Sequence, residues 1–423
     1  MHPARPSPKE GLVTTTPLAE RTRIVLFGLR NAGKSSLMNA IFEKEVAIVS
    51  DQPGTTTDPV TRAYELIGAG PVAFTDTAGL DDEGPLGSIR IERAKKALAQ
   101  ADIALLVTPL TRPPHPLEDR LLEEVRRRGI PYLVAASFAD QAPDPAKEAW
   151  LASLPHVRVA SPSREGVRTL TSRLVHLVAS LAPEPTPLEG LVREGDLLVL
   201  VVPIDLAAPK GRLILPQVET LRDALDRDCA ALVVKERELS LFFPRLPHRP
   251  RLVITDSQAF HKVAADIPPD QPLTSFSILF ARKKGDLARY VRGLAALTAF
   301  PEGKRVLVVE ACSHHRQPDD IATVKIPRLF HQLVDPAVPF DHARELPEDL
   351  SPYGLVIHCG GCMVTRRAVL ARLDRLAEAG VPVTNYGLFL AWAHGLLPRA
   401  LEPFPYEYEL YCTEVGGGVE TRI

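Results

Sequence analysis

Several things are scarce in this sequence. Its 423 residues include only five cysteines, three methionines and two tryptophans, and aromatic residues make up 6%. An odd, small cysteine count excludes the disulfide framework of compact secreted domains and leaves thiols for metal or reactive chemistry. Charge of one sign is missing too, since 50 Lys and Arg against 52 Asp and Glu give a formal net charge of -2. A protein that coats nucleic acid would carry a basic excess, so no nucleic-acid partner is expected. No apolar run approaches the roughly 20 residues of a membrane-spanning helix. The opening stretch from Met1 to Glu20 is rich in Pro and Thr and has no apolar core of a secretory signal. The expectation is a cytoplasmic protein with no membrane partner. What is abundant is proline, with 40 residues that punctuate loops throughout an otherwise periodic chain.

The length predicts two or three domains. After a flexible tail (1–20), Arg23–Phe27 reads as a buried strand, followed by Gly28 to Ser35 and a helical pattern through Phe42. Strands at Val72–Phe74, Ile103–Val107, Tyr132–Ala136 and Val157–Ala160 alternate with helices at 87–100, 118–128 and 166–181. That alternation predicts an α/β domain with a mainly parallel sheet over 21–182. Ala182-Pro183-Glu184-Pro185-Thr186-Pro187 reads as a linker. A small α/β unit follows over 188–268, with a dense strand from Asp196 to Pro203, a shorter one at Leu213–Leu215 and a helix at Gln217–Arg227. It is too small to bury much surface alone, so a homodimer through this unit is expected. A second boundary falls near Pro268 to Pro272. The alternation then resumes over 273–423, with Phe276–Phe280, a helix from Asp286, strands at Arg305–Glu310 and Leu355–Ile357, and later helices. No internal repeat is visible.

Gly28-Leu29-Arg30-Asn31-Ala32-Gly33-Lys34-Ser35 fits G-x-x-x-x-G-K-S between a strand and a helix. Such a loop wraps phosphates with backbone N–H groups, Ala32 and Ser36 included, and the helix N-terminus adds its dipole. Lys34 would reach the β- and γ-phosphates, and the Ser35 hydroxyl would ligate Mg²⁺. Asp76-Thr77-Ala78-Gly79 follows a strand, as a metal-coordinating Asp and a γ-phosphate-sensing Gly should. Between them, Gly54-Thr55-Thr56-Thr57-Asp58 offers hydroxyls for a switch segment. These residues predict a GTPase, with Lys34, Thr56, Asp76 and Gly79 in the hydrolytic roles. Leu80 cannot orient water as a Gln would, and the acidic run Asp81-Asp82-Glu83 is one candidate to replace it. Guanine recognition is degenerate. The usual N-K-x-D stands as Ser137-Phe138-Ala139-Asp140, which keeps only the Asp for the guanine N1 and N2 hydrogens, with Ser161 offering a backbone contact.

A second constellation lies far downstream. Cys312-Ser313-His314 and His358-Cys359-Gly360-Gly361-Cys362 each follow a strand, so both sit where α/β sheets place their sites. Three thiolates with imidazoles nearby suit zinc or an iron–sulfur cluster. Cys229 reads as packing, and Cys412 has no partner motif.

The spacing of the N-terminal motifs resembles the Era/TrmE-like GTPases. The resemblance implies a potassium ion held by Asn31 and Thr55, with Thr56 on Mg²⁺. The full combination resembles the FeFe-hydrogenase maturation GTPases, including Gly54–Val60, Ala208-Pro209-Lys210-Gly211-Arg212, Val324-Lys325-Ile326-Pro327 and C-x-H … H-C-x-x-C. That resemblance implies a 4Fe–4S cluster on Cys312, Cys359 and Cys362 with a weaker fourth ligand, from His314, His358, Asp319, Asp320 or water. It also implies a scaffold that takes a transient di-iron precursor from radical-SAM maturases and delivers it to apo FeFe-hydrogenase. The alternative is a ribosome- or tRNA-directed GTPase with a structural zinc.

Overall fold

The computed structural model describes residues 16–42, 60–77, 79, 94, 96–203, 213–311 and 320–416. The chain forms two compact units, Met1–Leu181 and Ala182–Ile423.

The first unit is built on one six-stranded sheet of β1 (Thr22–Phe27), β2 (Val60–Leu66), β3 (Gly70–Asp76), β4 (Ile103–Pro109), β5 (Tyr132–Ser137) and β6 (His156–Arg158). Its spatial order is β2-β3-β1-β4-β5-β6, and only β2 runs antiparallel to its neighbour. Alternation of side chains explains why β1 reads as an unbroken apolar run. Ile24 and Leu26 join a core on one face of the sheet, whereas Val25 and Phe27 join a core on the other. Strand β2, with Thr61, Arg62 and Glu65 among its residues, carries no such run. It is an edge strand that the sequence pattern does not reveal.

A buried ion pair lies at the far end of β4. Lys147 Nζ sits 2.7 Å from Glu118 Oε2 and 2.8 Å from Thr108 Oγ1, and the two charged side chains are 1% and 0% exposed. Glu118 also accepts the backbone N–H of His115 (2.9 Å), which closes a capping box on the helix Pro116–Arg127. Trp150 covers the ammonium, with its ring centroid 4.8 Å from Lys147 Nζ.

The second unit holds two four-stranded, all-parallel sheets that share one core. The first contains β7 (Leu197–Val201), β8 (Ala230–Val234), β9 (Leu252–Thr255) and β10 (Leu273–Ser275), in the order β10-β9-β7-β8. The second contains β11 (Arg305–Val309), β12 (Phe340–Ala343), β13 (Tyr353–His358) and β14 (Val383–Asn385), in the order β12-β11-β13-β14. In chain order, both sheets run second, first, third, fourth. Each last strand passes directly into a helix capped by its final side chain. Ser275 Oγ accepts from Ile278 N (3.2 Å), and Asn385 Oδ1 accepts from Leu388 N (2.8 Å). The helices Leu215–Asp226 and Ile326–Leu333, each with proline in the first turn, occupy matching places after the first strands. The unit is therefore an internal repeat of topology, where the sequence reading expects none. The two halves share a hydrogen-bonding plan and few residues.

Three other expectations change. Strand β10 lies beyond the boundary expected at Pro268 to Pro272, yet it pairs with β9 through Leu273↔Val253 to Ser275↔Thr255. Leu213–Leu215 is not a strand, because Pro216 sits in the first turn of a helix that begins at Leu215. Phe276–Phe280 opens the helix Phe276–Lys284, and it is apolar because that helix is buried on most sides. The two repeat helices cross closely. A Cβ on Gly387 would meet Ser277 Cβ at 2.8 Å, and Asn385 Nδ2 donates to the Ser277 carbonyl at 3.0 Å.

Breaking the Lys147–Glu118 pair tests its weight in the first unit. Lys147→Ala leaves a carboxylate buried without a countercharge and should cost that unit about 3–5 kcal/mol. The double change Glu118→Leu, Lys147→Met should cost much less. Denaturant unfolding followed by Trp150 fluorescence in a Trp392→Phe background reads both, and equal losses would contradict the account.

Candidate nucleotide and cysteine sites

The loop that follows β1 is shaped by what cannot fit in it. A Cβ on Gly28 would lie 2.1 Å from the Val107 carbonyl oxygen, so only glycine lets the loop rest on β4. Gly33 has φ +90° and Asn31 φ +59°, the second being a residue type that tolerates the left-handed region. The helix then starts at Lys34. Lys34 is buried, and its Nζ donates to the carbonyls of Gly28 (3.2 Å) and Leu29 (3.0 Å), which holds the ammonium across the loop. Burial lowers its pKa, and the charge of Asp76 opposes that shift.

Ser35 Oγ donates to Asp76 Oδ2 at 2.7 Å, while Asp76 Oδ1 is buried with no hydrogen-bond partner. Burial raises the Asp76 pKa, opposed by the Ser35 hydrogen bond and by the charges of Lys34 and Arg62. A hydroxyl and a carboxylate with one oxygen unsatisfied form the hard oxygen donor set that Mg²⁺ takes. The residues present therefore fit the ion. The turn after β3 is fastened by Thr77 Oγ1, which donates to the Leu26 carbonyl at 2.8 Å. Gly79 packs on the phosphate loop, where a Cβ would meet Arg30 Cα at 2.7 Å. Gly28, Asn31, Ala32, Gly33, Lys34, Ser35, Ser36, Asp76 and Gly79 all belong to this first unit. Thr55, Thr56, Leu80 and the run Asp81-Asp82-Glu83 lie outside the described residues.

On the base side, Asp140 is exposed just past β5, and Ser161 is half-buried after Ala160. One residue escaped sequence reasoning. Ser137, 2% exposed, donates its hydroxyl to the Ala32 carbonyl at 2.7 Å. Its place as the first residue of the degenerate guanine motif was the available signal.

In the second unit, β11 and β13 pair from Arg305↔Tyr353 to Val309↔His358, so the loops after them leave from adjacent points. Ala311 N donates to Cys359 Sγ at 3.2 Å, which brings the chain just before Cys312 against that thiol. Gly361, with φ +65°, makes the tight turn between Cys359, which is buried, and Cys362, which is half-buried. Backbone N–H bonds to sulfur and paired thiols on a tight turn are the donor chemistry of an iron–sulfur site. Cys312, His314 and Asp319 lie outside the described residues. Among the described residues, no three His, Cys, Asp or Glu side chains gather as a metal site.

His358 does not fit the role of ligand. Its Nδ1 lies 2.6 Å from the Cys359 carbonyl and its Nε2 lies 3.2 Å from Arg372 Nη1. A carbonyl only accepts and a guanidinium only donates, so Nδ1 carries the proton and the Nε2 lone pair is taken. The ring is fully buried and holds the turn rather than offering a lone pair. Asp320 likewise caps its own turn, accepting from Thr323 N at 2.9 Å. Tyr290, buried beside this group, has its phenol pKa raised by burial and then by the charge of Cys359. Cys229 is buried and Cys412 is exposed on the segment Tyr411–Val415.

Comparison with known proteins adds three family matches. Residues 23–137 match a model described as a 50S ribosome-binding GTPase. Residues 188–285 match the hydrogen maturase F dimerization domain, and 288–403 match the hydrogen maturase F tetramerization domain. Among curated relatives, the tRNA modification GTPase MnmE of Synechococcus sp. (strain RCC307) is 33% identical over 224 residues, 52% of this chain and 45% of that protein. MnmE of Novosphingobium aromaticivorans is 50% identical over 95 residues, 22% of each chain. The chain thus spans less than half the length of these curated relatives. A solved structure of Era from Aquifex aeolicus, bound to GDP and AlF4⁻, aligns with a TM-score of 0.31 and 18% identity, covering 50% of this chain and 92% of that one. The N-terminal unit carries a GTPase domain, which implies GTP and Mg²⁺. Among the described residues, no helix is long and apolar enough to cross a membrane.

Two substitutions test the nucleotide site. Lys34→Ala removes the charge that compensates the phosphates, and phosphate release from GTP should fall to background. Asp140→Asn replaces an acceptor of two N–H groups with an amide, so nucleotide competition should shift preference from GTP towards xanthosine triphosphate. An unchanged preference would remove Asp140 from base reading.

Proposed function

The chain belongs to the hydrogen maturase F family, and from that premise we propose that it is a GTP-hydrolysing scaffold for FeFe-hydrogenase maturation. The observation that carries the reading is the joining of a phosphate-loop GTPase to a cysteine turn whose sulfur accepts an N–H from the segment leading to Cys312. In the first unit, Lys34 holds the β- and γ-phosphates while Ser35 and Asp76 hold Mg²⁺. The ion supplies neutralisation of charge developing on the transferred phosphoryl group. Water attacks the γ-phosphate, the bond to the β–γ bridging oxygen breaks, and GDP and phosphate leave. Asn31 and Thr55 would hold a potassium ion, which would supply further positive charge to offset the charge developing on the phosphates.

In the second unit, Cys312, Cys359 and Cys362 hold a 4Fe–4S cluster. Three thiolates leave one iron to a weaker ligand, and His358 is not that ligand because its lone pair is used by Arg372. His314, Asp319 or water takes the place. An exchangeable position suits a carrier that admits a di-iron precursor from radical-SAM maturases and releases it to apo-hydrogenase. Closed tetrahedral zinc would offer no such position.

A second copy of the chain covers the apolar surface of the first repeat half. Strand β8 is the edge of its sheet, and Val233 on it is 41% exposed, as are Val218 (46%) and Leu225 (59%) on the helix Leu215–Asp226. An unpaired edge with apolar neighbours is a template for association. The tRNA-directed alternative has the names of the curated relatives in its favour. It gives no role to the two hydrogen maturase F models over 188–403.

Anaerobic reconstitution separates the readings. Each of Cys312→Ser, Cys359→Ser and Cys362→Ser should lose the cluster's charge-transfer absorption, whereas His358→Gln should keep both the cluster and its response to added imidazole. One equivalent of zinc with no iron would overturn the cluster assignment. Replacing potassium with sodium should slow GTP hydrolysis, and equal rates would remove the potassium ion from the site.

A further inference from the structure

We infer that Ser137 and Phe138 rebuild the guanine side of the nucleotide pocket: Ser137 ties β5 to the phosphate loop, and Phe138 supplies the aromatic face on which the purine stacks. This rests on the GTPase assignment alone and is independent of the cluster. The sequence lacks the Asn and Lys usual at these two positions, so the pocket must obtain their contacts in another way or do without them.

Ser137 is the last residue of β5, and its Oγ lies 2.7 Å from the Ala32 carbonyl and 3.1 Å from the Thr108 carbonyl. Both partners are acceptors, so the hydroxyl donates, and the shorter distance goes to Ala32. Ala32 immediately precedes Gly33 and Lys34, and its carbonyl belongs to the phosphate loop. The bond therefore sets where the loop stands against β5. Thr108 is itself immobilised, since its side chain sits between the buried Lys147 and Glu118. A loop resting on Val107 through Gly28 and tied at Ala32 through Ser137 is held from two adjacent strands. Ser137 is thus a positioning residue that acts through the phosphate loop.

Phe138 follows with φ +59°. A bulky aromatic residue in the left-handed region is uncommon and persists only where its surroundings hold it there. Its Cε2 atom lies 3.7 Å from the point that a Cβ on Gly33 would occupy, so the ring stands beside the phosphate loop. The side chain is only half-buried and belongs to neither core of the unit. An aromatic ring strained into place next to the phosphate loop, outside any core and two residues before the base-reading Asp140, has the character of a stacking platform. Stacking tolerates any base because each presents a π-face. Discrimination between guanine and adenine then falls on Asp140.

Calorimetry on the full chain with GDP, ADP and inorganic tripolyphosphate tests both residues. Phe138→Ala should weaken GDP and ADP by the same factor, about five- to a hundredfold, and leave tripolyphosphate binding unchanged. Phe138→Leu, which keeps bulk without an aromatic face, should behave like Phe138→Ala, and Phe138→Tyr should bind as the parent does. Ser137→Ala should weaken all three ligands and raise KM for GTP more than it lowers kcat, with Ser137→Thr restoring both. Parent-like GDP affinity in Phe138→Leu, or a matching loss of tripolyphosphate, would overturn the stacking role. Undiminished tripolyphosphate affinity in Ser137→Ala would overturn the tie. A parent chain that binds no GDP would instead refute the GTPase assignment itself.

Discussion

Two strands paired in parallel must be joined by a crossover, and every crossover of such a sheet leaves from the same edge. Among the described residues, thirteen of the fourteen strands, all but β2, are laid down that way. Loops distant in sequence are therefore forced together at the carboxyl ends. In the first unit this brings the segments after β1, β3 and β5 to one place, with Lys34, Asp76 and Ser137 on them. In the second it sets Ala311, after β11, against Cys359, after β13. Neither arrangement needs a special contact between remote residues beyond the register of the strands.

The nucleotide site then depends on two kinds of rigidity. One is steric: Gly28 on the Val107 carbonyl and Gly79 on Arg30 leave no volume for a side chain. The other is electrostatic. Lys147 and Glu118, away from water, fasten Thr108 and the end of β4 beneath the same loop. A buried pair of this kind contributes little net stability beyond an apolar replacement, but it is directional. Its place here is consistent with holding strand ends in a fixed relation rather than with holding the domain together.

The two halves of the second unit show how one topology accommodates different chemistry. After β9 the chain reads Asp256-Ser257-Gln258, and after β13 it reads Cys359-Gly360-Gly361-Cys362. In the first half Asp256 accepts from Gln217 at 2.8 Å and Ser257 bonds to Ser275, so these positions are spent on internal bonds. In the second half Cys359 Sγ accepts from Ala311 N at 3.2 Å, while His358 and Arg372 hold the turn behind it. Exposed apolar side chains occur on both halves, with Val218, Leu225 and Val233 on the first and Leu333 and Met363 on the second.

Residues 28–35 were legible in the sequence because a phosphate loop is a local requirement. Its glycines, lysine and serine are needed whatever the rest of the chain does. The cysteine turn was legible for the same reason, as was the mainly parallel α/β plan, since covered sheets demand unbroken apolar strands such as Arg23–Phe27. What depended on neighbours was not. Leu213–Leu215 is apolar enough for a strand but is drawn into a helix by Pro216, and Phe276–Phe280 is apolar because it is a helix enclosed by its surroundings. The repeat could not be read because hydrogen-bonded strand order leaves no residue signature. Residue type alone marks Ser137 as the absence of an asparagine and His358 as a possible ligand, whereas the fold sets the Ser137 hydroxyl on the Ala32 carbonyl and Arg372 against His358 Nε2. The sequence by itself determined which side chains are able to bind phosphate and metal. Only the tertiary structure decided which of their lone pairs and protons are already in use, because that is set by residues tens of positions away.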